Sequence, residues 1–278
     1  MAAAPVKSPA PPGAGIGEAL EALYRRHNVR PAIASDPVRF VHGLDLPDRE
    51  IAALVASSLA YGRVEGILRS VARALELIPS PAAFLRQSSR ASIRRALRGF
   101  RHRFTGAHDL AAMLCGAKAA VLRHGSLERC FAARLKPGDE TVVSALGAFV
   151  EEIAPRKRSG GFSLLPPPAR GSACKRLNLF LRWMVRRDEV DPGGWILVPA
   201  SKLVVPLDTH LHRICRALGF TGRRGADLRA ALEATAAFRR LVPDDPVRYD
   251  FTLAHLGMRG DAARVVAAMV RGRGEGDG

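Results

Sequence analysis

Two short segments carry the residue types that could do chemistry. VPLDTHLHRICRALGF, residues 205–220, sets Asp208, His210 and His212 at alternate positions. GSACKRLNLFLRWMVRRD, residues 171–188, puts Lys175 near the start of an apolar-striped run. If residues 208–212 were extended, His210 and His212 could share a metal. On a helix, residues i and i+2 point apart and could not. The segment continues as a helical stripe, Leu207, Leu211, Ile214, Cys215 and Leu218, and only His255 follows among the histidines. Asp208, just after Pro206, then stands where an N-cap belongs. It is a helix cap and nothing more, or a cap whose rigidly held carboxylate also faces a reacting group.

Lys175 poses a similar choice. Cys174, Leu177, Phe180, Leu181, Met184 and Val185 recur at i, i+3, i+4 and i+7, which predicts a helix. Ser172 is the expected N-cap, with Gly171 allowing a tight approach. Lys175 would then sit in the first turn, where the helix dipole disfavours an ammonium. Shielded from water, such a lysine would have its pKa pushed down, and a neutral amine can attack a sugar carbon. Solvated, it would simply meet water or a phosphate.

The elements that must hold these residues read as helices. DREIAALVASSLAYGRVEGILRSVARALELI gives two helical runs that break at Gly62 or Gly66, with Asp45 or Asp48 as cap and Pro47 at the entry. HDLAAMLCGAKAAVLRHG, TVVSALGAFVEEI and DLRAALEATAAFRRLV repeat the pattern. Period-two alternation is confined to the short WILV and KLVV. The expected class is all-α. Residues 1–16 and 267–278 read as disordered tails, and 154–173 as a long basic, Pro/Gly-rich connection.

The 278 residues carry 43 Lys and Arg against 26 Asp and Glu, a net charge of +17. An excess of that size implies a polyanionic partner, with nucleic acid first. The basic residues are spread over many segments, which argues against a membrane surface. No run of about 18 apolar residues suggests a span, and the N-terminus lacks a secretory h-region. Cys115, Cys130, Cys174 and Cys215 are scattered without CxxC spacing, which fits a reduced cytoplasmic interior and neither disulfides nor an iron–sulfur cluster.

Together, the lysine at the head of an apolar helix and the apolar-Pro-apolar-Asp-Thr-His segment resemble the helix-hairpin-helix DNA glycosylase/AP lyase superfamily. Within it, the longer Lys-to-Asp gap and the replacement of the usual LPGVG hairpin by LLPPPARGSACK resemble the archaeal 8-oxoguanine glycosylase branch. CKRLNLFLRWMVR is similar to a bacterial family of uncharacterised glycosylase-like proteins. DREIAALVASSLAYGR is similar to the superfamily's helix that delivers pocket and wedge residues, and DPVRYDFTLAHLGM to its closing helix.

The resemblance implies a two-lobed helical fold with a degenerate helix-hairpin-helix. One lobe would comprise residues 17–45 and 195–266, the other residues 46–194. It implies Lys175 as the Schiff-base nucleophile and Asp208 as its catalytic partner, with no cofactor and no metal. The target nucleotide would be flipped out of damaged duplex DNA, an oxidised purine first. Arg182, Arg186, Arg187, Arg213 and Arg216, with Ser172 and Gly171, become candidates for phosphate contact. Tyr61, Arg63, Trp195 and His210 become candidates for wedge or base pocket. A monomer in the cytoplasm, associated with the nucleoid, is expected. Two other functions stay open: a non-catalytic binder of damaged or structured DNA, and a metal-dependent hydrolase built on DTHLH.

Overall fold

The computed structural model describes residues 15–154, 164–258 and 260. The C-terminal tail, nearly all of the N-terminal one, and 155–163 of the basic connection lie outside the described residues. The chain is all-α: twelve α-helices and one two-stranded hairpin are formed by the described residues. In chain order the first helices are α1 (Ile16–His27), α2 (Leu46–Ser58), α3 (Val64–Glu76), α4 (Pro81–Gln87) and α5 (Arg90–Ala96). Strands β1 (Arg101–His102) and β2 (Thr105–Gly106) follow, then α6 (Ala107–His124), α7 (Leu127–Ala132) and α8 (Val143–Ile153). The last four are α9 (Lys175–Val185), α10 (Thr209–Ala217), α11 (Leu228–Leu241) and α12 (Asp250–Met258). Their buried apolar side chains form one connected cluster running from Ile16 to Leu256.

Local chemistry sets the boundaries. Asp45 caps α2 by accepting from the Asp48 amide at 3.1 Å, and Pro47 stands in the first turn. The Asp48 carboxylate instead accepts from the Ala82 amide at 2.8 Å, tying α4 to the head of α2. The break between α2 and α3 falls at Gly62, whose φ of 103° is open to glycine and rarely to anything else. Gly116 lets α6 meet α8 at close range, because a Cβ there would lie 1.9 Å from the Ile153 carbonyl oxygen.

The expected strands WILV and KLVV are absent. Neither segment joins a ladder: Leu197 and Val198 bend, Lys202 closes a 3-10 turn, and their amides are taken up by side chains and by scattered carbonyls. Glu128 accepts from the Ile196 and Leu197 amides, and Thr235 Oγ1 accepts from Val205 N at 3.0 Å. The strands that do form, β1 and β2, pair antiparallel with His102 opposite Thr105.

Helix α9 is the axis of the molecule. It packs against α2, running antiparallel to it. Arg176 near the α9 start donates to the Ser58 carbonyl at the α2 end, and Gly194 beyond α9 abuts Leu46 at the α2 start. Its C-terminal half carries a buried ion network. Arg182 Nε donates to Asp191 at 3.1 Å and its Nη1 to Asp250 on α12. Arg186 binds the other Asp191 oxygen, chelates Asp245 at 3.0 Å and reaches Asp188 at 2.9 Å. Both guanidiniums are raised above their ordinary range: burial lowers them, but the fields of the surrounding aspartates outweigh it. Burial pushes Asp250 up to about 6, against the pull of Arg182.

A second buried acid fixes the segment after α9. Glu50 accepts from the Leu127 and Glu128 amides at 3.0 and 2.9 Å and from Trp195 Nε1 at 2.8 Å. Burial raises its pKa despite these three donors.

Two outcomes follow. Arg182→Ala strands Asp191 and Asp250 in the core and lowers unfolding stability by about 3–5 kcal/mol in urea titrations. Glu50→Gln keeps one acceptor and costs roughly 1–3 kcal/mol at low pH. Because the folded pKa of Glu50 lies above its unfolded value, its favourable linkage is full below the unfolded value. That linkage is lost as pH rises through the folded one. The deficit of Glu50→Gln against wild type therefore narrows with rising pH, as paired melts across the acid-to-neutral range will record.

Candidate functional site

Lys175 and Asp208 meet. Lys175 Nζ lies 3.3 Å from Asp208 Oδ2, with 36% and 15% of the two side chains exposed. Two helix starts converge on this pair. Lys175 is the first residue of α9, and Asp208 is the N-cap of α10. The two oxygens of Asp208 divide the work. Oδ1 accepts from the His210 and Leu211 amides at 2.9 and 2.8 Å, leaving Oδ2 for the amine. The positive helix ends favour the carboxylate and disfavour the ammonium, so Asp208 offsets the field that its neighbour feels. Lys175 keeps a third of its surface in water, so its shielding is partial.

The cap of α9 is Cys174, a correction to the expected Ser172. Cys174 takes φ 50° and ψ 34°, left-handed values unusual for a side-chain-bearing residue. Ser172 Oγ instead accepts from the Cys174 amide at 3.1 Å, which turns the chain before the helix opens. The Cys174 thiol donates to the Pro166 carbonyl at 3.3 Å, and burial pushes its pKa up to about 11. Gly171, at φ 76°, accepts from Leu228 N at 2.9 Å. Ser172 and Gly171 therefore brace α9 against the start of α11. The described part of the hairpin-like element, 164–174, holds one short 3-10 turn, Pro168–Arg170.

The structure separates the other candidates. Arg182 and Arg186 are 3% and 5% exposed and belong to the buried network. They have no surface to offer a phosphate, because Asp188 and Asp191 just downstream and Asp245 and Asp250 from far along the chain have drawn them inward. Arg187, Arg213 and Arg216 are exposed. Trp195 is also a correction. It is 3% exposed, edge-on to Phe180 at 5.2 Å and hydrogen-bonded to Glu50, so it cannot stack on a base. Trp183 is fully buried. His210 is half-buried over Gly257, where a Cβ would approach the His210 Cβ to 3.0 Å; this close fit seats α12 on α10. His212 is turned away, its Nε2 donating to the Arg223 carbonyl at 3.0 Å. Among the described residues no three His, Cys, Asp or Glu side chains cluster as metal ligands would.

Tyr61 lies beside the pair through a residue that the sequence reading passed over. Arg176, next to Lys175, sits 5.2 Å over the Tyr61 ring. Burial brings the Arg176 pKa down to about 10. The Tyr61 hydroxyl donates to the His102 carbonyl at 2.8 Å and accepts from Thr105 Oγ1 at 2.7 Å, which fastens it to the β1–β2 hairpin. Burial lowers the His102 pKa from its ordinary imidazole value. The ring Nε2–H donates to the Tyr61 carbonyl at 3.0 Å, and Nδ1 accepts from Ser70 at 2.8 Å. Arg63 is exposed at the entry to α3.

An all-helical protein that sets a lysine and a capping aspartate within 3.3 Å at two helix starts is thus defined by its fold and site. The chain belongs to the DUF2400 family, described as proteins of unknown function, whose model matches residues 36–259. No curated protein and no solved structure matches it. Among the described residues no helix is long and apolar enough to cross a membrane.

The divided duty of Asp208 can be tested on stability alone. Asp208→Ala removes the α10 cap and costs about 1 kcal/mol, whereas Asp208→Asn keeps an acceptor oxygen and stays within a few tenths. Thermal melts of the two variants at one pH make the comparison.

Proposed function

We propose that the protein is a DNA glycosylase with AP lyase activity, acting on a damaged base, with an oxidised purine first. The observation that supports it is the 3.3 Å approach of the Lys175 amine to the free oxygen of a capping aspartate. The amine is partly exposed and the carboxylate is held by two backbone amides. Asp208 takes the ammonium proton or steadies the cationic sugar. Lys175 then attacks C1′ of a nucleotide flipped from the duplex, and the C1′–N bond breaks as the base departs. Ring opening gives a Schiff base between Nζ and C1′. Loss of a C2′ proton then expels the 3′ phosphate by β-elimination. Every step is met by one amine and one fixed carboxylate.

Exposed Arg187, Arg213 and Arg216 are the remaining phosphate contacts of this reading. The net charge of +17 supports a polyanionic substrate.

Borohydride trapping on duplexes carrying 8-oxoguanine or an abasic site tests it. Wild type forms a covalent adduct, Lys175→Gln forms none, and Asp208→Asn forms it at least about 100-fold more slowly while still binding DNA. Absence of an adduct from wild-type protein on every duplex removes the lyase and leaves a monofunctional glycosylase or a binding protein, which base release tells apart.

A further inference from the structure

The β1–β2 hairpin turns through Arg103 and Phe104, with Arg103 at φ 50°. Its base is fixed by the Tyr61, Thr105, His102 and Ser70 hydrogen bonds. Its tip holds Phe104 69% exposed, with the Arg103 guanidinium 5.5 Å from the ring. A phenylalanine kept largely in water at the tip of a turn forgoes most of its burial and leaves much of its ring within reach of a ligand.

Next to the hairpin lies a groove lined by Arg69, Ser70, Arg73, Arg98, Gly99 and Arg101, with Phe100 at its floor. No acidic side chain lines it. All four arginines are exposed. Arg73 reaches Glu76 at 3.4 Å in a pair more than half exposed on both sides, a contact of small worth. Arg69, Arg98 and Arg101 form no ion pair among the described residues. Like charges crowded into one groove repel one another, and a chain of anions relieves that repulsion. Guanidinium forks match the paired oxygens of phosphates.

Basic groove and aromatic tip share one neighbour. Ser70 lines the groove and also hydrogen-bonds His102 in the hairpin. From His102 the contacts run on to Tyr61 and to Arg176, beside Lys175. We propose that the groove and hairpin form a binding site for a nucleic-acid strand, its phosphodiesters on Arg69, Arg98 and Arg101 and an unpaired base stacked on Phe104. Charge alone would serve any polyanion, but the outward ring selects one whose anions alternate with flat bases. The site stands apart from the Lys175–Asp208 chemistry and operates whether or not that chemistry occurs.

The test uses the full chain carrying Lys175→Gln, so that no catalysis intervenes. The probe is a single-stranded oligonucleotide containing a fluorescent adenine analogue, in DNA and RNA versions that distinguish the two sources of the same chemistry. Anisotropy reads affinity, and quenching of the analogue reads stacking. Phe104→Ala loses the quench and about tenfold in affinity. The triple variant Arg69→Ala, Arg98→Ala, Arg101→Ala shallows the salt dependence of binding by about 0.7 in slope per lost contact. Leu122→Ala, 65% exposed on α6, changes neither. The substituted residues are exposed, and unchanged melting temperatures confirm the fold. Either hairpin or groove variant binding and quenching like the parent overturns the proposal. So does equal displacement of the oligonucleotide by polyglutamate, the mark of a generic anion surface. Loss of borohydride trapping with quench and slope intact would leave this site standing and remove only the lyase.

Discussion

The buried pairing of Arg182 and Arg186 with aspartates is the constraint on which the rest depends. Two guanidiniums one turn apart, Arg182 on α9 and Arg186 at its C-cap, share the carboxylate of Asp191. They also engage Asp250 and Asp245, while Tyr24 on α1 donates to Asp188 at 2.9 Å. First helix, last helix and the turn after α9 are thereby locked to one face. Taking so many charges out of water is costly, and a well-packed apolar cluster could be as stable. What the charges add is direction. An arginine fork accepts its partners only in fixed orientations, so α9 cannot rotate or slide. Holding the far end of α9 fixes the near end, where Lys175 sits. Holding α12, which is seated on α10 through Gly257, fixes the start of α10, where Asp208 sits.

The sequence was most legible where structure is local. The stripe from Leu177 to Val185, the Asp45 cap and the Asp208 cap all depend on neighbours within a turn or two, and the structure has them there. The charged residues were not legible. Arg182 and Arg187 look alike in a string of letters, yet one is buried and the other exposed. The difference lies in Asp250, whose place in space no local pattern reveals. Trp195 is the same case, since a tryptophan in a Gly-rich linker reads as a stacking candidate until Glu50, near the α2 start that packs against this end of α9, takes its indole N–H. The cap shifted from Ser172 to Cys174 because a left-handed cysteine violates the preference on which cap rules rest. The RHRF turn carries its own signal, an aromatic directly after a pair of closely spaced arginines.

At the candidate site, stability and chemistry share one side chain without competing. Oδ1 of Asp208 satisfies two amides that would otherwise be orphaned, and this anchors the carboxylate in a single rotamer. Oδ2 is therefore delivered to the amine with little conformational freedom left to lose. The strained Cys174 does the corresponding job for Lys175 by forcing the helix to begin at that residue and no earlier.

Several of the chain's acids are turned inward: Asp36, Asp188, Asp191 and Asp250 with basic partners, Glu50 and Glu128 on backbone amides. The arginines left outside are thus less balanced locally than the whole-chain total indicates. With fields dying over roughly 8 Å at physiological ionic strength, an approaching body senses the nearest skin of charge rather than the sum. Two copies of such a molecule meet mostly cation against cation, and self-association has to overcome that repulsion. A polyanion reverses the sign: strung along it, copies that avoid one another in free solution can be held side by side.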